Sequence, residues 1–152
     1  MNISKAAWQA LIPIERKMMP NPIEYAYQLD NKGKVLSEYI GNASHVDPFY
    51  IKDNLILTHN HPNTSRDNTY MSPLLDIKTS IEFKVRESRA VASDGFCHLV
   101  EIPKLKPSEV EKCNIILTKY DKKSLTWSDV RKMRKELEKA GGLKFRTIPL
   151  PK

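Results

Sequence analysis

The sequence predicts one α+β (mixed α/β) domain: a central, mostly antiparallel sheet flanked by helices, with C-terminal helices and a final strand. Three observations predict it. Helix-period and strand-period segments follow one another along 152 residues. Turn signals at Asp30-Asn31-Lys32-Gly33 and Asp94-Gly95 join consecutive strands. No internal repeat or low-complexity segment interrupts them. At 40% hydrophobic and 28% charged residues the composition is that of a single soluble core. The expected parts of this one domain, 1–152, are an N-terminal helix over 1–20, a core over 22–102 and a basic helical part over 103–152.

Residues 4–19 carry Ala6, Ala7, Ala10, Leu11 and Ile14 at three- and four-residue spacings, a helical stripe that Pro20 and Pro22 end. A hairpin follows: Ile23, Tyr25, Tyr27 and Leu29 alternate with Glu24, Ala26 and Gln28, and Val35 to Ile40 returns after the turn. Glu24 therefore faces away from the apolar row. Leu55 to Thr58 reads as a buried strand running straight into His59-Asn60-His61-Pro62. Asn63 to Met71 is polar and without period. Ser72 followed by Pro73 is a helix start, with Leu74, Ile77, Ile81 and Val85 as its apolar face. Strands are expected over 88–92 and 96–102, helices over 108–118 and 127–140, with Gly141-Gly142 as the stop, and a last strand over 143–148.

Charge is uneven. Residues 1–102 carry 11 Lys and Arg against 12 Asp and Glu, net −1, whereas residues 103–152 carry 14 against 6, net +8. The run Arg131-Lys132-Met133-Arg134-Lys135 falls on an expected helix, where a basic face is usually a solvated one. No aromatic stripe alternates with it, so a base-stacking platform for nucleic acid is unsupported. No apolar run approaches the roughly 20 residues of a membrane-spanning helix, and no secretory layout opens the chain, so it reads as cytoplasmic. Cys97 and Cys113 are too few for a disulfide framework and read as reduced, semi-buried thiols.

The chemistry concentrates at His59 and His61. In a strand, residues two apart point the same way, so both imidazoles can converge on one metal ion before Pro62 ends the element. Asp76, in the first turn of the following helix, can project a carboxylate back over the strand end. Two His, one carboxylate and a fourth position for water is the composition of a hydrolytic zinc (Zn2+) site. Asp67 competes for the third place because it is closer in sequence. His45 in a loop and His98 in a strand read as a surface and a sheet residue.

Glu24 on a first strand, a hairpin, a buried strand ending in Thr58-His59-Asn60-His61-Pro62, then Ser72 and Asp76 at a helix start together resemble the JAB/MPN (JAMM) metalloprotease superfamily. Its pattern is Glu, then His-x-His-Pro, then Ser-x-x-Asp. Asp76-Ile77 through Arg89-Ala90-Val91 and Asp94-Gly95 further resemble the compact bacterial and phage-associated members. The match covers about residues 22–102. The resemblance implies a JAB/MPN-like fold in which His59, His61 and Asp76 bind zinc, Glu24 is the general base toward the attacking water, and Ser72 donates to the oxyanion. A carboxylate on the polar face of an adjacent strand also suits the base role on its own merits, with Glu38 on the return strand as the alternative. Two features depart from the pattern. The loop between His61 and Asp76 is longer, with the serine four residues before the aspartate instead of three; both positions share the aspartate's face of a helical turn. The connection from the second strand to the histidine strand is also short, where many members place a helix.

The activity implied is zinc-dependent hydrolysis of a peptide or isopeptide bond in a protein or peptide substrate, including an isopeptide between a ubiquitin-like C-terminus and lysine. The contrasting readings are a non-catalytic binding domain of the same fold and a basic nucleic-acid-binding module.

Overall fold

The computed structural model describes residues 3–43, 46–62, 73–122 and 125–151. The helices are α1 (Lys5–Met18), α2 (Pro73–Glu82), α3 (Pro107–Lys119) and α4 (Trp127–Gly141). The strands are β1 (Tyr25–Leu29), β2 (Val35–Ile40), β3 (Ile56–His61), β4 (Glu87–Ala92), β5 (Phe96–Glu101) and β6 (Lys144–Pro149). Among the described residues the strands form one sheet in the order β2-β1-β3-β4-β5-β6. All neighbours are antiparallel except β3 and β4. That pair is parallel because α2 lies between them: a crossover helix brings the chain back to the end of the sheet where β3 began. The mixed α+β class and the largely antiparallel sheet are those the sequence predicts.

Helices cover both faces of the sheet. Ala7, Leu11 and Met18 of α1 pack with Leu29, Ile56 and Val91 on one side. On the other, Ile77 and Ile81 of α2 join Leu117 of α3 and Met133 and Leu137 of α4 over Val100. Burial on two faces accounts for β3, in which all six residues are buried. The expected element bounds hold to within about two residues. Val85, expected on the α2 stripe, lies beyond the helix end and packs instead with Ala26 and Leu57.

Local chemistry sets the ends of the elements. Thr126 Oγ1 accepts from Asp129 N–H at 3.1 Å while Asp129 Oδ2 accepts from Thr126 N–H at 3.0 Å, a capping box that starts α4. Gly142 ends it at φ +70°, a left-handed conformation that glycine adopts without strain. In the β1–β2 turn Gly33 is required twice over. Its φ is +86°, and a Cβ there would lie 2.8 Å from the Ala6 carbonyl oxygen, so the turn can close onto α1 only as glycine.

The buried face of α1 is the stripe its spacing predicts, apart from Ala6, and it runs on to Glu15 and Met18. Ala7, Leu11, Glu15 and Met18 are buried, whereas Ala6 is exposed and Ile14 is only half-buried. Glu15 goes inside because Arg89 of β4 meets it: Arg89 Nε donates to Glu15 Oε1 at 2.5 Å and Nη2 to Oε2 at 3.1 Å. Arg89 Nη1 also donates to Glu87 Oε1 at 2.6 Å, and Thr58 Oγ1 donates to Glu15 Oε1 at 2.9 Å. Trp8 lies against the guanidinium, its ring centre 5.4 Å away. Removing one member of such a set strands the others in an apolar interior. Arg89→Met is therefore expected to lower the unfolding free energy by about 3–5 kcal/mol, whereas joint replacement of Glu15, Glu87 and Arg89 by apolar residues of similar volume should cost much less. Urea unfolding of the two variants checks this, and an equal loss in both would contradict it.

The basic face of α4 points to solvent. Val130, Met133 and Leu137 are its buried stripe, and Arg131, Lys132, Lys135 and Lys139 are exposed. Lys132→Glu with Lys135→Glu should leave the thermal midpoint within about 2 °C of wild type, since exposed charges contribute little to stability. Differential scanning calorimetry at two salt concentrations measures it. None of the described helices is long and apolar enough to cross a membrane.

Candidate metal centre

The centre lies at the C-terminal end of β3, where the parallel β3–α2–β4 crossover meets the antiparallel β1. This is the kind of topological switch at which strand ends open onto a crevice. His59 and His61 point to the same sheet face because one residue separates them. Asp76 is the fourth residue of α2, in the first turn, where the helix dipole favours a carboxylate.

The three side chains converge. His59 Nε2 is 2.9 Å from His61 Nε2 and 3.1 Å from Asp76 Oδ2, and His61 Nε2 is 3.6 Å from the same oxygen. Donors held about 2.0–2.1 Å from a tetrahedral zinc ion stand about 3.3 Å apart, so these separations bracket the edge of such a polyhedron. Both histidines are buried, while the Asp76 side chain remains 31% exposed and gives the cluster its opening to solvent.

The electrostatics favour a positive charge where the three atoms meet. Burial by itself depresses the His59 imidazolium, but the charge and hydrogen bond of Asp76, with the Glu24 carboxylate behind them, outweigh it and raise the pKa. Burial likewise works to raise Asp76, yet the two imidazoles hold it well below the usual carboxylate range. The donor set, its spacing and its field all fit a divalent cation.

Glu24 precedes β1. Its backbone continues the β1–β2 ladder, with Glu24 N–H donating to the Asn42 carbonyl at 2.7 Å and Gly41 N–H donating to the Glu24 carbonyl at 2.8 Å. Ala26 pairs with His59 across β1 and β3, so Glu24, two residues earlier, shares the histidine face. Glu38 does not. It stands opposite Tyr27, whose hydroxyl donates to Glu38 Oε1 at 2.8 Å on the α1 side of the sheet. Burial and that carboxylate push the Tyr27 pKa up to about 12. Ser72, Asp67 and His45 lie outside the described residues.

Two contributions go beyond the sequence reading. Asn60, the central residue of His-x-His, turns to the opposite face and holds the segment that carries Glu24. Its Oδ1 accepts from Tyr25 N–H at 2.7 Å and its Nδ2 donates to the Ile23 carbonyl at 3.0 Å, so both peptide units flanking Glu24 are fixed by the histidine strand. Its place between two candidate ligands on a strand, facing the other way from both, is the only signal the sequence carries for it. His98 is the other. Its partner across β5 and β4 is Ala90, which in turn pairs with His59, and this register brings His98 to the histidine face. The cysteines take no part: Cys97 and Cys113 are free, buried in different clusters, and burial pushes both thiols up.

No protein-family model matches the chain, and no curated protein or solved structure matches it.

Proposed function

We propose that this protein is a metal-dependent hydrolase of amide bonds, with His59, His61 and Asp76 as the ligands of one zinc ion and Glu24 as the general base. The observation that carries this reading is the convergence of two imidazole nitrogens and one carboxylate oxygen within 4.8 Å at a strand end, with a second acidic residue, Glu24, on the same face just ahead of the neighbouring strand. Zinc bound there supplies a Lewis acid that polarises a carbonyl and acidifies water. The chain's own residues do the rest. Glu24 accepts a proton from the attacking water and delivers it to the departing amine, which is the balance amide hydrolysis requires. Asn60 keeps the Glu24 backbone in register with the histidine strand, and Asp76 keeps the His59 ring in place.

The resemblance to JAB/MPN proteins points the same way: the Glu, His-x-His-Pro and Asp positions of that pattern fall on the residues gathered at this site. It makes peptide and isopeptide bonds, including those to ubiquitin-like tails, the substrates to try first. The test is the zinc stoichiometry of the purified protein together with cleavage of a panel of peptides and ubiquitin-like fusions, before and after chelation. One zinc per chain with chelator-sensitive cleavage supports the reading. A zinc-loaded protein that cleaves no amide would leave a binding domain in its place.

A further inference from the structure

A cavity of about 40 Å3 adjoins the cluster, with His59, Asp76, His98 and Arg134 all in its wall. On this measure a water-sized position takes roughly 10–15 Å3, so the cavity holds about three such positions, the size of a carboxylate and too small for a ring. Its chemistry is selective. Val100 and Phe145 supply apolar wall, and Asp76 is the one acidic residue that lines it among the described residues. Besides His59, two groups able to carry positive charge line the same space. His98 is tied through Nδ1 to Thr147 Oγ1 at 2.9 Å, and the Arg134 guanidinium lies over the Phe145 ring at 5.1 Å from its centre. A planar guanidinium seated on an aromatic ring offers a fork that matches a carboxylate better than any other common group. The surrounding C-terminal third, net +8 over residues 103–152, adds a long-range field that draws anions toward this side.

We propose that this cavity binds the free α-carboxylate of a peptide substrate, so that the site releases the C-terminal residue rather than cutting within a chain. The proposal rests on the hydrolase reading above. A chain end held here by its carboxylate, beside His59 and Asp76, presents its last amide to the metal centre ahead of any internal one. With the carboxylate held by Arg134 and His98, the last amide falls toward His59 and Asp76, which line the same space. Water then adds across that bond: a C–O bond forms at the carbonyl carbon, the C–N bond breaks, and the amine of the terminal residue leaves with the proton.

The experiment compares an acetylated tripeptide ending in a free glycine with the same peptide ending in glycinamide. Both are assayed with wild type, Arg134→Gln and Arg134→Lys, all loaded with zinc. Binding of N-acetylglycine and N-acetylglycinamide to the chelated proteins is followed by calorimetry. The expected result is a kcat/KM about 10- to 100-fold higher for the acid than for the amide. Arg134→Gln should abolish that preference at unchanged zinc content, Arg134→Lys should restore part of it, and N-acetylglycine should bind wild type but not Arg134→Gln. Equal cleavage of acid and amide, or a preference that survives Arg134→Gln, overturns the carboxylate site and leaves the hydrolase reading standing. Binding of N-acetylglycine that depends on Arg134 without any cleavage upholds the site and removes the hydrolase reading. Neither binding nor cleavage removes both.

Discussion

Replacing His61 with alanine is expected to remove most of the zinc from the purified protein while leaving the fold in place. The expectation follows from the geometry of the three donors. His59, His61 and Asp76 each contribute one atom to a cluster whose edges run from 2.9 to 3.6 Å, and a catalytic zinc site commonly has three protein ligands. Two remaining ligands seldom hold the ion at neutral pH against water and protons. The fold should tolerate the change because His61 is the last residue of β3 and its backbone pairing with Ala92 does not depend on the side chain. Metal analysis after dialysis reads the loss, and far-ultraviolet circular dichroism confirms the fold. Asp76→Asn should weaken zinc binding as well, whereas Asp67→Asn should retain the metal; the opposite order would transfer the third ligand to the preceding loop. Zinc content unchanged in His61→Ala would remove the site.

Much of this site was legible in the sequence because its signals are local. A His-x-His pair on a strand faces one way whatever the fold. The helix that presents Asp76 starts at Pro73 and buries Ile77 and Ile81, as its spacing indicates. Glu24 was readable as the polar-phase residue of an alternating strand. What the sequence withheld depends on which elements meet. Ala6, Ala7, Ala10, Leu11 and Ile14 mark a stripe on α1 of which only Ala6 is exposed, but nothing local reveals that Glu15 is carried inward by an arginine 74 residues away. The parallel pairing of β3 with β4 follows from the α2 crossover, and only the β1–β2 register shows that Glu38 stands with Tyr27 on the face away from the histidines. Arg134 reads as one cation in a basic run, and only the packing of α4 over β5 and β6 brings it beside His98 and Phe145. Patterns of period two and 3.6 fix which way a residue points along its own element. They do not fix its neighbours on another.

Glu24→Gln is the variant that separates an enzyme from a zinc-stabilised binding domain, and it should lose turnover while keeping metal and fold. The substitution keeps the shape of the side chain and removes its capacity to accept a proton. Zinc content should hold because the three ligand atoms come from His59, His61 and Asp76, and Glu24 acts on His59 through its charge. The fold should hold because Glu24 is bound into the ladder by its backbone, through Asn42 and Gly41, and its neighbours by Asn60. General-base contributions are typically about 10²- to 10⁴-fold, so the fall in kcat on a substrate that wild type cleaves should reach or exceed that range. Ser72→Ala should be milder, about a hundredfold, if that hydroxyl supplies an oxyanion hydrogen bond. Glu38→Gln serves as the internal control: its carboxylate meets Tyr27 on the opposite face, so its loss should affect stability modestly and turnover little. Chelated wild type sets the zero of the assay. Full activity in Glu24→Gln with loss in Glu38→Gln would move the base to the return strand, and it would require the β1–β2 hairpin to present its faces the other way round from the register seen across Tyr27 and Glu38.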